Sequence, residues 1–291
     1  MRRWPVIPII CFLIVAGLIW WGSSSADIIM VIQPVSGEAP SHTNYTSDAN
    51  CQGAWLFASD DGTDSSGEGN TLTLGDAPTF SNASLPSGYT TGKSVTFDGS
   101  DDYLIRDYDD LNADFPGKKN PCTAMAFSVW IKQTVEASVC FSVGKGVSGN
   151  AWNIQSDYQT NDYYYMIVVG DSGWTSWNTT QLSATSTSFV HIAFSYAGGD
   201  PSGSLTVWIN GVEHGSSPFT TTNVDNINPS NLHDLIMATN NDQSAFYALT
   251  LYQPIVFDAT FATIGTGLGK TEDEVVSEIY TYGITGADDA S

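Results

Sequence analysis

Positive charge is scarce in this sequence. Lysine and arginine together number nine, against 31 aspartates and glutamates, and the 291 residues carry a formal net charge of −22. Such a charge repels nucleic acid phosphates and anionic lipid head groups, so we predict no nucleic acid partner. An acidic surface rich in Asn, Ser, Thr and Gly suits an extracellular setting and offers many oxygen ligands to hard cations.

Cysteine is also rare, and no two cysteines have the CxxC spacing of a metal site. Cys11 lies in an N-terminal apolar run, which leaves Cys51, Cys122 and Cys140 for the rest of the chain. An oxidising compartment would allow one disulfide among these three and leave one thiol over. The alternative is that all three are small buried hydrophobic side chains, and the sequence does not decide between the two or indicate a pairing.

The N-terminus has the features of an export signal. Two arginines precede an apolar run from Trp4 to Trp21, which small residues follow. We interpret residues 1–26 as a signal peptide or, because the run is almost long enough to span a bilayer, as an N-terminal membrane anchor. Both interpretations predict an extracellular or cell-surface protein that meets a membrane only through this segment, if it stays uncleaved. Residues 27–50 are polar, lack a period and are predicted to be a linker.

From residue 51 onward, short segments of alternating apolar and polar residues recur between clusters of Gly, Asn, Asp and Ser. In AFSVWIK, residues 126–132, alternate side chains share one face of a strand. The segment SLTVWIN ends at Asn210-Gly211, a dipeptide typical of β-hairpin turns. Helical spacing appears only near the end, where Thr271 and Glu274 form a predicted capping box. The pattern predicts an all-β sandwich of two antiparallel sheets with one short C-terminal helix.

A series of segments carries a family resemblance. In order along the chain they are GAWLFASDDGTDSSGEGNTLTL, KSVTFDGSDDYLI, FSVWIK, CFSVGKG, FVHIAFSYAGG, LTVWINGVEHG and FDATFATIGTGLGKTEDEVVSEIY. Over residues 50–283 they resemble the laminin G-like, concanavalin A-like family of bacterial and phage exported proteins. The resemblance implies a jelly-roll β-sandwich that serves as a recognition module, often holds calcium and binds carbohydrate or protein ligands. We assign residues 51–283 to this laminin G-like domain and predict a disordered tail at 284–291.

Catalysis is not expected. Glycanases on this fold carry alternating acidic side chains on one strand, and no strand here has an ExDxxE pattern. The three histidines of the domain, His191, His214 and His233, each lack a nucleophile-elbow context. We predict that His191 is an exposed or hydrogen-bonded sheet residue and that the protein is not an enzyme.

The stretch SVTFDGSDDYLIRD, residues 94–107, places three aspartates beside a glycine between two predicted strands. Gly99 permits a tight turn that can direct carboxylates and carbonyl oxygens at one point, and calcium binds six to eight such oxygens. A second loop would complete the site. The alternative is that these aspartates only form turns, since Asp hydrogen-bonds its own backbone. The candidate calcium ligands are Asp64, Asn70, Asp98, Asp101, Asp102 and Asp258.

Aromatic residues cluster between residues 152 and 177, within a region rich in Gly, Ser and Asn. Exposed aromatic rings beside amides and carboxylates stack on sugar rings while the polar groups bind hydroxyls. Trp177 is the strongest candidate because its neighbours are so polar, and the alternative is that these rings fill the core. The candidate carbohydrate-binding residues are Trp152, Tyr164, Trp174 and Trp177.

Together these features predict a non-catalytic extracellular recognition module that binds carbohydrate and has a structural calcium. The competing function is a structural or adhesion protein that binds other proteins on a cell surface or a virus particle. A divergent glycanase is a third class, which would need a pair of facing carboxylates.

Overall fold

Short strands followed by two α-helices make up the described chain. The computed structural model describes residues 42–133, 141–144, 150–156, 163–170, 173–183, 187–198, 202–215, 217–222, 227, 234–239, 243 and 245–288. The strands are β1 Cys51–Ala54, β2 Thr73–Gly75, β3 Thr79–Ser81, β4 Ser94–Asp98, β5 Tyr103–Arg106, β6 Ala124–Lys132, β7 Phe141–Gly144, β8 Asn150–Ser156, β9 Tyr163–Gly170, β10 Gly173–Ser183, β11 Val190–Ala197, β12 Ser202–Ile209, β13 Val212–Glu213, β14 Phe219–Thr222, β15 Leu235–Met237 and β16 Ala248–Phe257. The helices are α1 Phe261–Leu268 and α2 Glu272–Tyr282.

The strands form two antiparallel sheets, which confirms the predicted jelly-roll β-sandwich. The larger sheet has the order β13-β12-β11-β6-β16-β4-β3, with β1 added beside β16 and β14 beside β12. The smaller sheet has the order β10-β9-β8-β7-β15-β5-β2. The predicted hairpin forms at Asn210 and Gly211, both at positive φ, where β12 turns into β13.

The main core lies between the two sheets. Phe127, Val129 and Ile131 on β6 are fully buried and belong to this core, as the alternation of AFSVWIK predicts. On the neighbouring β11, Ile192 pairs with Val129 and Phe194 with Phe127, so one face of the larger sheet is continuously apolar. Burial of such side chains stabilises the fold by about 1.5 to 3 kcal/mol each.

The other face of the larger sheet is covered by a third layer that contains both helices. Trp208 on β12 packs against Phe261 at the start of α1, with ring centres 5.6 Å apart. Val275 and Ile279 of α2 are buried in the same cluster. The capping box of Thr271 and Glu274 forms as predicted.

The prediction of a single C-terminal helix is wrong, because α1 precedes α2. Glycines at 265 and 267 give α1 a poor intrinsic helix propensity, which hides it from sequence patterns. Thr260 caps its first turn by accepting the Thr263 N–H, and Gly269 ends it at a φ of 71°. Burial of Phe261 and Ile264 stabilises α1 in spite of its poor helix propensity.

Both predicted domain ends need correction. Tyr45 is fully buried, so residues 42–50 belong to the folded domain and not to a linker. At the other end, Ile284 and Asp288 are 1% and 3% exposed, and the predicted disordered tail is therefore wrong for 284–288. The predicted signal or anchor, residues 1–26, lies outside the described residues, as do 289–291. No helix among the described residues is long and apolar enough to cross a membrane.

Two of the cysteines are buried in different hydrophobic clusters. Cys51 is a free thiol in the cluster beneath the helices, and Cys122 lies in the core between the sheets. Burial raises the pKa of both thiols, that of Cys122 to about 11. Cys140 lies outside the described residues. Both described cysteines therefore fit the alternative of small buried hydrophobic side chains.

Candidate functional site

The FDGSDDY turn gathers three carboxylates at one rim of the sandwich. Asp98 ends β4, Gly99 has a φ of 82°, and β5 begins one residue after Asp102. A side chain at Gly99 would place its Cβ 2.9 Å from the backbone nitrogen of Ala248, so the turn requires glycine. One ligand oxygen from each of Asp98, Asp101 and Asp102 lies within 4.8 Å of the other two.

Two of these carboxylates also hold the backbone of the turn. Asp98 accepts the Ser100 N–H at 2.7 Å. Asp102, which is 7% exposed, accepts the N–H groups of Asp98 at 3.1 Å and Ala77 at 3.2 Å. The same aspartates therefore form the turn and bring carboxylate oxygens together, so a role in the turn does not exclude a role as metal ligands.

The second loop of the cluster comes from the corner between β2 and β3. A hydrogen bond with Asp76 raises the pKa of the Asp101 carboxyl. Slight desolvation and the negative charges of Asp76 and Asp98 raise this pKa further. Asp76 lies next to Gly75, which pairs with Tyr103 on β5. This strand pairing brings together residues that sequence spacing does not connect.

The other three candidate calcium ligands lie outside this cluster of described residues. Asp64 accepts the N–H groups of Ala54 and Asn70 at 3.0 and 2.8 Å and so fastens its own loop. Asn70 is fully buried and donates to the Gln52 carbonyl at 2.6 Å. Asp258 accepts the Lys119 ammonium at 2.5 Å. That one of these segments completes the site stays a prediction, and the acidic neighbour of Asp101 that sequence reasoning missed is Asp76.

The donor set at the turn fits a calcium ion. Asp98, Asp101 and Asp102 have six carboxylate oxygens between them, and Asp76 is a neighbour of Asp101 on the adjacent turn. Hard oxygen ligands of this kind are those that calcium prefers, and its variable coordination tolerates an exposed, irregular site. Like charges at this spacing repel one another, so a bound cation would stabilise the turn.

Of the predicted carbohydrate-binding aromatic residues, the structure describes the side chain of Trp152. Trp152 is fully buried, its indole N–H donates to the Pro116 carbonyl at 3.1 Å, and it is therefore part of the core. Tyr164 lies on β9, and Trp174 and Trp177 lie on β10. The side chains of these three residues lie outside the described part of the structure.

A different aromatic pocket lies on the outer face of the larger sheet. It has a volume of about 500 Å³ and is formed where the loop before β4, the ends of β6 and β11, the β12–β13 turn and α2 meet. The Trp130 and Tyr280 rings stack with centres 5.3 Å apart and an interplanar angle of 23°. Trp130 is only 7% exposed, whereas Tyr280 and Phe189 are half-buried and present ring surface. The residues that line it include Ser84, Trp130, Lys132, Phe189, Asn210 and Tyr280.

Hydrogen-bonding groups surround the rings of this aromatic pocket. Lys132 donates to the Ser84 hydroxyl at 2.7 Å and lies 4.9 Å from the centre of the Phe189 ring. The Asn210 side-chain oxygen accepts the His191 N–H at 3.0 Å, which leaves the Asn210 NH₂ group as a donor. Sequence reasoning missed this pocket because its members come from five separated segments.

A larger open cavity of about 740 Å³ lies between β13 and α2, but its acidic groups are mostly engaged. Asp273 accepts the Trp208 indole N–H at 2.7 Å, and Glu274 completes the capping box. Glu278 accepts the Tyr45 hydroxyl at 2.6 Å and pairs with Lys270. These carboxylates hold the helix layer in place and leave fewer groups for a ligand.

His191 has a serine partner that the sequence did not indicate. Its Nε2 lies 2.7 Å from the Ser128 hydroxyl oxygen, a contact between neighbouring strands. Both residues are fully buried, and burial lowers the pKa of His191 to about 3. A nucleophile must reach its substrate, so this pair is a structural contact. His191 is therefore a buried sheet residue that is hydrogen-bonded through Nε2, while its buried Nδ1 has no hydrogen-bond partner among the described residues.

Solved structures with this fold include proteins from several sources. The fourth domain of AbnA, an extracellular arabinanase from Geobacillus stearothermophilus solved with arabinotriose, has a TM-score of 0.53 and 16% identity, with 80% of this chain and 98% of that chain covered. The receptor-binding domain of botulinum neurotoxin type G has a TM-score of 0.52 and 13% identity, with 80% and 51% covered. A botulinum neurotoxin type C structure, described as entering cells through two ganglioside molecules, has a TM-score of 0.52 and 9% identity, with 81% and 51% covered.

These likenesses show the fold alone, and this chain spans about half the length of the toxin chains. No curated protein matches the sequence. Residues 98–251 match the Laminin_G_3 family, described as the concanavalin A-like lectin/glucanases superfamily. The match covers more than half of the 291 residues, and the protein therefore belongs to the concanavalin A-like lectin/glucanase superfamily.

Proposed function

We propose that the protein is a non-catalytic extracellular module that recognises glycans. The observation that carries this proposal is the aromatic pocket, where the half-buried rings of Phe189 and Tyr280 lie beside the amide of Asn210 and the ammonium of Lys132. Sugar recognition needs this combination, because the apolar face of a sugar packs on an aromatic ring while its hydroxyls require hydrogen-bond partners.

The comparisons support a glycan as the partner. The arabinanase domain was solved with arabinotriose, and the type C neurotoxin is described as interacting with gangliosides. The superfamily contains both lectins and glucanases, so fold does not decide between binding and catalysis. The absence of catalysis is proposed because no strand of the sequence has the ExDxxE pattern of alternating acidic side chains that glycanases on this fold carry.

Calcium is part of the proposal as a structural ion. Asp98, Asp101 and Asp102 would hold it together with Asp76 from the neighbouring corner. The ion would supply positive charge that cancels the repulsion among these carboxylates. The residues themselves keep the turn between β4 and β5 closed through the backbone hydrogen bonds of Asp98 and Asp102.

Export is proposed from the N-terminal sequence. Residues 1–26 would act as the signal or the anchor and would place the β-sandwich outside the cell. The high net negative charge suits a soluble surface in that setting.

A glycan array with the purified full-length protein, followed by calorimetric titration of the hits, tests the function. We expect glycan binding that Tyr280→Ala and Phe189→Ala each weaken about fivefold, since stacking on a ring contributes on the order of 1 kcal/mol per ring. Tyr108→Ala, which removes a half-buried ring outside the aromatic pocket, is the matched control and should bind normally.

The same titration decides between the two candidate surfaces. If Trp177→Ala abolishes binding while the Tyr280 and Phe189 variants bind normally, the glycan site lies on β10 and not in the aromatic pocket. If no glycan binds, the competing function as a protein-binding adhesion module is favoured. Release of shorter sugars from a bound oligosaccharide would show a glycanase and contradict the proposal.

A further inference from the structure

Lys132 differs from the other described cationic residues in its surroundings. Lys93, Arg106, Lys119 and Lys270 each have a carboxylate oxygen within 4.0 Å. Lys118 has no such partner, but its ammonium donates to three backbone carbonyls. Among the described residues, Lys132 has only the Ser84 hydroxyl and the face of the Phe189 ring as partners.

The aromatic pocket itself is free of acidic side chains among its described lining residues. This is unusual in a chain where acidic residues outnumber basic ones by 31 to nine. Most of the surface repels anions, so an ammonium that has no carboxylate partner among the described residues is a local attractive point for them. An ammonium has three donors, of which the Ser84 hydroxyl takes one.

A single cation would attract any anion, but the other groups of the pocket favour an anion that also has an apolar ring face and hydroxyl groups. The half-buried ring of Tyr280, stacked on Trp130, and the ring of Phe189 offer flat apolar surface next to the charge. The Asn210 NH₂ group adds a neutral donor. A volume of about 500 Å³ exceeds what an inorganic anion needs and accommodates one or two sugar rings.

We infer that the aromatic pocket binds an acidic sugar, a sugar residue that carries a carboxylate, with Lys132 bound to the carboxylate and the rings of Tyr280 and Phe189 in contact with the sugar ring. This inference rests on the proposed glycan recognition and specifies its ligand class. A charge-assisted hydrogen bond to a carboxylate is about twice as strong as a neutral one, which gives the pocket a reason to prefer acidic over neutral sugars.

Calorimetric titration of the full-length protein with matched pairs of sugars tests this. The probes are 3′-sialyllactose against lactose, and tri-galacturonate against galactotriose. We expect at least one acidic sugar to bind about tenfold or more tightly than its neutral counterpart at low ionic strength, with the difference reduced at high ionic strength because salt screens the charge.

Variants at Lys132 identify the group responsible. Lys132→Met keeps the length of the side chain without the charge, and should weaken binding of the acidic sugar much more than binding of the neutral sugar, so that the preference for the acidic sugar is lost. Lys132→Arg should retain much of the preference. Lys93→Met, which removes the same charge from the ion pair with Asp60, is the control and should bind as the unmodified protein does. If Lys132→Met unfolds, Lys132→Gln and the salt dependence give the same information.

The outcomes separate this inference from the proposed function. Neutral sugars that bind as well as acidic ones, with no effect of Lys132→Met, would overturn the inference and leave glycan recognition intact. Competition by inorganic phosphate at the same concentration as the acidic sugar would also overturn it, since the pocket would then be a general anion site. Failure of every sugar to bind would overturn both proposals.

Discussion

Asp288 is hydrogen-bonded to Thr91, almost 200 residues earlier in the chain. One carboxylate oxygen of Asp288 lies 2.8 Å from the Thr91 backbone nitrogen, and the other lies 2.6 Å from the Thr91 hydroxyl. The same carboxylate accepts the Thr90 N–H at 2.7 Å and the Gln253 side-chain NH₂ at 3.0 Å. The end of the described chain is thus fastened to the loop before β4 and to β16.

Asp288→Ala should therefore lower the stability of the domain substantially. Two backbone N–H groups and two side-chain donors would lose their acceptor in a buried position, which costs about 2 to 4 kcal/mol. Urea unfolding followed by tryptophan fluorescence measures this. Asp109→Ala removes an exposed carboxylate of the same size and should change the stability by less than about 0.5 kcal/mol. Equal losses in the two variants would show that the Asp288 contacts do not stabilise the fold.

Glu278→Gln should weaken the contacts that Thr43 and Tyr45 make with α2. Glu278 accepts the Thr43 N–H at 3.0 Å and the Tyr45 hydroxyl at 2.6 Å, and it pairs with Lys270. Burial by itself would raise the pKa of Glu278, but the hydrogen bonds from Lys270, Tyr45 and Thr43 outweigh it and lower the pKa to about 2. Loss of the charge should cost about 1 to 3 kcal/mol near neutral pH.

The pH dependence of the free energy of unfolding tests the prediction for Glu278→Gln. Because the folded pKa lies below the ordinary value of 4.5, the contribution of Glu278 is present above pH 4.5 and is lost as the pH falls toward about 2. Urea unfolding of the unmodified protein and of Glu278→Gln should therefore differ near neutral pH and converge in strong acid. A difference that stays constant down to about pH 2 would contradict a role for the carboxylate charge.

His191 should make the domain less stable in mild acid. Burial lowers the pKa of His191 to about 3, whereas an unfolded histidine titrates near 6.5. Below about pH 6.5 the unfolded chain binds a proton that the folded chain does not. The free energy of unfolding therefore decreases as the pH decreases, by up to about 1.4 kcal/mol per pH unit. His191→Gln, which retains a polar partner for Ser128, should flatten this slope between about pH 6.5 and pH 4.5. An unchanged slope in the variant would assign the acid sensitivity to other groups.

Calcium should raise the unfolding temperature of the protein, measured by calorimetry with calcium and with a chelator. A ligand present at about 100 times its dissociation constant, bound only to the folded state, adds roughly 2.7 kcal/mol. Asp101→Asn should abolish the rise because Asp101 belongs to the carboxylate cluster, and Asp76→Asn should reduce it because Asp76 interacts with Asp101. Asp109→Asn is the control and should retain it. Identical unfolding temperatures with calcium and with chelator would mean that the aspartates only form turns.

Asp64→Asn tests whether the loop that contains Asp64 contributes to calcium binding together with the turn at residues 98–102. Its carboxylate accepts from four donors, the backbone N–H groups of Ala54, Ser66 and Asn70 and the Ser66 hydroxyl, so the variant should be less stable both with calcium and with chelator. A specific loss of the calcium effect in this variant would return Asp64 to the set of calcium ligands.

The outcome for the carboxylate turn shows how far sequence reasoning reached. The grouping of Asp98, Asp101 and Asp102 was predictable because the three residues lie within five positions around a glycine. The partner loop was not, because Asp76 reaches the cluster only through the pairing of β2 with β5. Asp64 and Asp258 had the same chemistry in the sequence, but the structure commits them to Ala54 and Lys119.

The amino-acid sequence by itself determined the class of fold. A two-residue period specifies strands with one apolar face, the Asn210-Gly211 turn specifies a hairpin, and the Thr271 capping box specifies where α2 begins. These are local effects, since each depends on residues within a few positions of one another.

Tertiary structure alone decided which segments belong to the domain and which residues line the proposed binding pocket. The glycine-rich α1, the buried Asp288 and the aromatic pocket around Lys132 and Tyr280 are all specified by contacts between residues far apart in the chain. The physical reason is that sheet order and register determine which distant side chains become neighbours, and local propensity contains no information about them.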